Sequence, residues 1–119
     1  MKYSPDLIPF DKFNEEEGTT ELKIRNGNLY ESPNNLIFFD EVIGATHFKL
    51  YRNFEFDLVF EQSRIDKGRR EARVSLKDLS FPQSLVIILV WNENKLSLSV
   101  GNPGKSDLRT SDGQWAPTK

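Results

Sequence analysis

The chain has 119 residues, 16 basic against 18 acidic side chains, a net charge of -2 and no cysteine. That length holds one domain with a single core, and the near balance of charge supplies no whole-molecule field toward nucleic acid or membrane, so neither is expected as a partner. The absence of cysteine excludes disulfides, thiol nucleophiles and thiolate metal sites; with no secretory apolar run after the N-terminus, a cytoplasmic protein is expected unless the chain is a domain of a larger one.

Residues 1–18 read as an N-terminal arm in which Pro5, Pro9 and Gly18 limit any helix over 5–17 to about a turn or two. Short strands follow at 20–24, at 28–31 after an Asn26-Gly27 turn, at 36–40 and at 47–51. The clearest strand is 53–61, where Phe54, Phe56, Leu58 and Phe60 share one face and only Val59 interrupts the charge on the other. Segment 71–76 alternates in the same way, and Asp66-Lys67-Gly68 between them supports a hairpin. Their even-numbered apolar residues face one another only if the numbers of each opposed pair sum to an even value. A sum of 130 opposes Asp57 to Arg73 and Glu61 to Arg69, whereas 132 sets Glu61 against Glu71; 130 is expected, with 134 next.

A second hairpin runs from Ser84 through Leu85-Val86-Ile87-Ile88-Leu89-Val90-Trp91, turns at Asn92-Glu93-Asn94 and returns over 95–101. On the return, Leu96, Leu98 and Val100 point inward and Lys95, Ser97 and Ser99 outward. The outgoing strand is apolar on both faces, so it must be covered twice. Depending on register, either Leu85, Ile87, Leu89 and Trp91 or Val86, Ile88 and Val90 share a face with the serine row. Residues 102–119 read as a loop-rich tail with one edge strand near Leu108. The whole is a single all-β domain: an antiparallel, jelly-roll-like β-sandwich of seven or eight short strands with at most one short N-terminal helix.

The second hairpin, an apolar strand ending in Trp91, a short polar turn and an alternating strand into Gly101, resembles the penultimate hairpin of concanavalin A-like, laminin G-like jelly rolls. With the strands at 54–60 and 71–76 in compatible order, the resemblance covers about half the chain. It implies a binding module, with carbohydrate as the alternative ligand. No dense Asp/Asn loop matches that family's calcium sites, so no family residue is carried over and no metal or cofactor is expected.

Four constellations bear on chemistry. Pro5-Asp6 followed by Glu21-Leu22-Lys23 satisfies the PD-(D/E)xK nuclease pattern, in which two carboxylates hold a divalent metal and the lysine orients water; it is the enzyme alternative, against a plain reading of Glu21 and Lys23 as an exposed strand face. His47, the only histidine, would need Asp40 or Glu41 as partner for a metal site or triad, and alternation places it with Lys49 and Tyr51 toward solvent. Arg64, Lys67, Arg69, Arg70 and Arg73 crowd one hairpin end, but Asp57, Glu61, Asp66 and Glu71 lie among them, so a salt-bridged tip is expected rather than a phosphate grip. Trp91 beside Asn92 and Asn94 is the best single ligand-contact candidate, against the commoner fate of a core tryptophan; Trp115 is expected to fold back over the apolar face as a structural lid.

The sequence thus predicts a non-catalytic binding or protein-interaction module, self-associating or ligand-binding through Leu85, Ile87, Leu89, Trp91, Asn92, Asn94, Ser97 and Ser99. The partner is a protein or a second copy of the chain. The outer row of the 85–91 strand is expected to be covered by Leu7, Ile8, Phe10 and Phe13 of the arm, by an identical subunit, or by a ligand or larger parent protein.

Overall fold

Alternating side chains give eight strands: β1 (Gly18–Arg25), β2 (Leu36–Ile43), β3 (Thr46–Arg52), β4 (Asp57–Arg64), β5 (Gly68–Ser75), β6 (Ser84–Trp91), β7 (Leu96–Gly101) and β8 (Arg109–Gly113). They come from a computed structural model that describes residues 16–25, 36–77, 84–101 and 108–115. The expected helix over 5–17, the strand at 28–31 and the arm residues Leu7, Ile8, Phe10 and Phe13 lie outside the described residues. Two antiparallel four-stranded sheets result, one in the order β2-β3-β4-β5 and the other β1-β6-β7-β8.

The sheets face each other across one apolar core. Phe48, Leu50, Leu58, Phe60, Ala72 and Val74 on one sheet meet Leu22, Leu85, Ile87, Leu89, Trp91, Leu96, Leu98 and Val100 on the other. Apart from Leu22 of β1, each has a neighbour in the core at period two, as a pleated strand requires. In β2 the period breaks: the register shifts between Ile37 and Phe39, and the consecutive Phe38 and Phe39 are both buried.

Two expectations are corrected here. The strand expected at 53–61 starts only at Asp57, because 53–57 is a turn. Asn53 accepts from the amides of Glu55 and Asp57 through Oδ1, each at 3.0 Å, and its carbonyl accepts from Phe56 N at 3.1 Å. Phe56 sits at φ 62° and Phe54 is exposed, so neither belongs to the inward row of β4. The β4–β5 register sums to 132, not 130: Asp57 opposes Ser75 and Glu61 opposes Glu71. A three-residue loop dictates this, closed by Lys67 N donating to Arg64 O at 3.3 Å and by Gly68 at φ 96°. The charges then pair diagonally, Arg69 with Glu61 and Arg73 with Asp57 at 3.3 Å, so opposed glutamates cost little. Turn geometry outweighs surface ion pairs, each of which contributes about 0–1 kcal/mol.

At one side the sandwich nearly closes. β8 lies so near the edge of β5 that a Cβ on Gly113 would come 2.1 Å from the Glu71 carbonyl oxygen. Arg73 N donates to Ser111 Oγ at 3.4 Å, and Arg109 Nη1 to the carbonyls of Ser75 and Lys77 at 3.1 and 2.9 Å. This closure delivers the residues after β8 to the end of β5 where Arg70 sits.

Candidate functional site

The structure separates the residues expected to form a site. Leu85, Ile87 and Leu89 are fully buried in the core row of β6, opposite Ile24, Leu22 and Thr20 of β1. Trp91 is 1% exposed, with its ring centroid 5.2 Å from Phe48 and 6.1 Å from Phe60. It also packs so close to Gly18 that a Cβ there would approach it to 2.4 Å. These four side chains hold the sheets together and present no surface to a partner. The outward row of β6 is instead Val86, Ile88 and Val90, which oppose Gly101, Ser99 and Ser97. Val86 and Ser97 on that face are themselves buried, and Ser99 Oγ is 2.9 Å from Thr110 Oγ1. Asn94 is an exposed turn residue. Asn92 Oδ1 accepts from Asn94 N and Lys95 N at 2.9 and 3.0 Å, which fixes the β6–β7 turn. Glu21 and Lys23 lie exposed on the outer face of β1, Asp6 is outside the described residues, and among the described residues no three acidic or histidine side chains cluster for a metal.

The basic hairpin end divides by alternation. Arg69 and Arg73 point outward into ion pairs with Glu61, Glu71 and Asp57, and Arg64 pairs with Asp66 at 3.2 Å. This is the expected salt-bridged surface. Arg70 has the opposite parity: it shares the inward row with Ala72 and Val74 and opposes Gln62. That row is where the apolar core of the sandwich ends, and Arg70 is only 3% exposed there.

Its guanidinium is held on three sides. Nε donates to Gln62 Oε1 at 2.8 Å, Nη2 donates to the Asn92 carbonyl at 2.6 Å, and the Trp115 indole lies over it at 4.2 Å. No carboxylate among the described residues pairs with it. Burial pulls its pKa down to about 10, which leaves it protonated at neutral pH. Nη1 of Arg70 and Nε1 of Trp115 are both buried, and among the described residues both lack a hydrogen-bond acceptor. A buried donor without a partner costs about 1–3 kcal/mol. Of the four buried side-chain polar atoms without a hydrogen bond among the described residues, these two belong to side chains in contact with each other at one cleft.

Arg70 and Trp115 line a polar cleft of about 400 Å³, whose rim carries Glu16, Glu17, Lys67, Asn92 and Glu93. Arg70 also borders a smaller hollow of about 220 Å³ with Gln114. Trp115 therefore lies over the guanidinium with open volume beside it, and Gln114 borders the second hollow.

Comparison with family models, with curated protein sequences and with solved structures finds no match. The cleft has to be read from its own chemistry.

Of the eight residues expected to form the ligand or interface site, only Asn92 reaches the cleft, through its backbone carbonyl; Arg64, Asp66, Lys67, Arg70 and Trp115, expected instead as a salt-bridged tip and a structural lid, line it. Arg70 was legible in principle: it has the same parity as Ala72, Val74 and Leu76, and that alone assigns it to the inner face. At the same end of the β2-β3-β4-β5 sheet, beside the β4–β5 turn, His47 Nε2 meets Asp40 Oδ1, and Ser63 opposes His47 across the strands. Both partners of that pair are about two-fifths exposed. The neighbouring hollow of about 450 Å³ is bordered by Val42 and Ile65, which are open to solvent.

Proposed function

We propose that the protein is a non-catalytic binding module whose ligand seat is the cleft floored by Arg70 and covered by Trp115. The supporting observation is the pair of buried, unpartnered donors, Arg70 Nη1 and Trp115 Nε1. A buried cation without a counter-ion is retained at the expense of stability, and a ligand that supplies acceptors there recovers that expense as affinity. The outer face of β6 is the weaker seat, because Val86 and Ser97 are already covered within the chain.

Thermal unfolding of the full chain against a panel of small carboxylates, phosphates and sugars tests this. A ligand that prefers the folded state raises the melting temperature in proportion to its saturation. The shift is expected to vanish in Arg70→Met. A ligand that stabilises the wild type and Arg70→Met equally would place the seat elsewhere.

A further inference from the structure

Resting on that reading of the cleft, we infer that its ligand is a small carboxylate that also carries a cationic group, as a basic amino acid or the basic C-terminal end of a peptide does. Arg64 is paired with Asp66 at 3.2 Å and Lys67 faces Glu93 at 4.0 Å, so these four rim charges neutralise one another. What remains is the cation of Arg70 on the floor and the carboxylate of Glu17 at the mouth, with Glu16 beside it already engaged.

A monoanionic carboxylate matches one buried guanidinium. One of its oxygens can take the free Nη1 donor of Arg70 in a short, charge-assisted bond and the other the indole donor of Trp115. A phosphate carries nearly twice the charge and would meet an acidic rim with only one unneutralised cation below it. A ligand cation, conversely, would find Glu17 waiting at the mouth. Carboxylate inward and cation outward is the arrangement in which both ends are paired. The cleft volume of about 400 Å³ is of the size that holds a small molecule or a few residues of peptide.

To admit the carboxylate the indole shifts on the guanidinium far enough to uncover Nη1 while its own N–H stays turned to the ligand. Trp115 is well placed for that, two residues beyond the last strand and bordered by the two hollows. Trp91 is buried in the core, so a change in tryptophan emission on binding reports Trp115.

The test titrates the full chain with four probes: L-arginine, agmatine (arginine without its carboxylate), the tripeptide Gly-Gly-Arg and inorganic phosphate. Calorimetry and tryptophan fluorescence are the readouts. L-arginine or Gly-Gly-Arg is expected to bind saturably with a change in emission, and agmatine and phosphate at least tenfold more weakly. Tighter binding of the tripeptide assigns a peptide C-terminus as the source, and tighter binding of L-arginine assigns the free amino acid. Arg70→Met is expected to abolish the heat. Trp115→Phe, which keeps the ring but removes the donor, is expected to weaken it several-fold, a loss that misfolding would not mimic if the melting temperature holds. Agmatine or phosphate binding as tightly as L-arginine, with binding lost in Arg70→Met, would overturn the carboxylate inference and leave the cleft reading standing. If none of the four probes nor any member of the wider panel shifts emission or melting, both fall.

Discussion

Replacing Gly113 by alanine should open the closed side of the sandwich. The new Cβ would stand 2.1 Å from the Glu71 carbonyl oxygen and 2.6 Å from its carbon. Carbon and carbonyl oxygen come no closer than about 3.3 Å in sheets, so β8 must withdraw from β5 by roughly 1.2 Å. The obstacle is backbone in the middle of a strand, which has no rotamer to change. At that displacement the 3.4 Å bond from Arg73 N to Ser111 Oγ is lost and the two carbonyl bonds of Arg109 are stretched. Overpacking of this kind costs about 1–3 kcal/mol, and each neutral hydrogen bond about 0.5–1.5 kcal/mol more. A total near 3 kcal/mol lowers the melting temperature of a chain this size by roughly 10–15 °C. Urea and thermal unfolding followed by circular dichroism measure it, with Ser111→Ala as a control that loses only the 3.4 Å bond and should stay within about 1 kcal/mol. Because Gln114 and Trp115 follow directly, the variant should also weaken any ligand bound over Arg70. A Gly113→Ala protein within 1 kcal/mol of wild type would refute the contact between β5 and β8, and with it the way Trp115 is brought to the cleft.

Other consequences follow from the same packing. Trp91→Ala removes the largest side chain of the core, and unfolding curves should show a loss of about 3–5 kcal/mol; a variant of near-native stability would mean that the ring is not between the sheets. Gly68→Ala forces a side chain into φ 96° and should cost about 1–2 kcal/mol by urea unfolding, since the turn rather than the flanking charges sets the β4–β5 register. The Tyr51 phenol, half-buried and donating to Glu61 Oε1 at 3.0 Å, has its pKa pushed up to about 12, first by burial and then by that carboxylate. Between the ordinary pKa of 10.0 and 12 the unfolded chain has released this proton and the folded chain has not. The contribution of Tyr51 to stability is therefore complete below pH 10 and falls as pH rises toward 12. Ultraviolet titration of wild type against Tyr51→Phe should show a phenolate appearing near pH 12, and Glu61→Gln should lower that midpoint; an absorbance change centred at 10 would contradict the pairing.

Much of the architecture was readable because burial imposes a period on the sequence. Leu58 and Phe60, Val74 and Leu76, Leu96 and Leu98 announce their faces, and the two-sided strand from Leu85 to Trp91 does lie inside a sheet, between β1 and β7. What escaped is where local chemistry overrides the period. Phe54 and Phe56 continue the alternation of β4 on paper, yet Asn53 captures the backbone into a turn before Asp57. Opposed glutamates looked forbidding at a sum of 132, because diagonal ion pairs are invisible until the register is known. Trp91 drew the ligand reading through its chemistry, while the parity it shares with Leu85, Ile87 and Leu89 places it in the core once β7 sets the register. Arg70 hid within a cluster of arginines whose other members form ion pairs; inward parity at the end of a core, shared with Arg64, together with the lack of a carboxylate partner among the described residues distinguishes it.

The measurement that bears most directly on the cleft is the unfolding free energy of Arg70→Met combined with Gln62→Leu. If Arg70 is retained for its ligand, substituting an apolar pair of similar volume relieves an uncompensated buried charge, and stability should be unchanged or higher by about 1–4 kcal/mol while binding of L-arginine or Gly-Gly-Arg disappears. A loss of more than 2 kcal/mol, with wild-type affinity for those probes intact, would show that Arg70 is a structural strut between Gln62 and Asn92 and that the cleft is not the ligand seat.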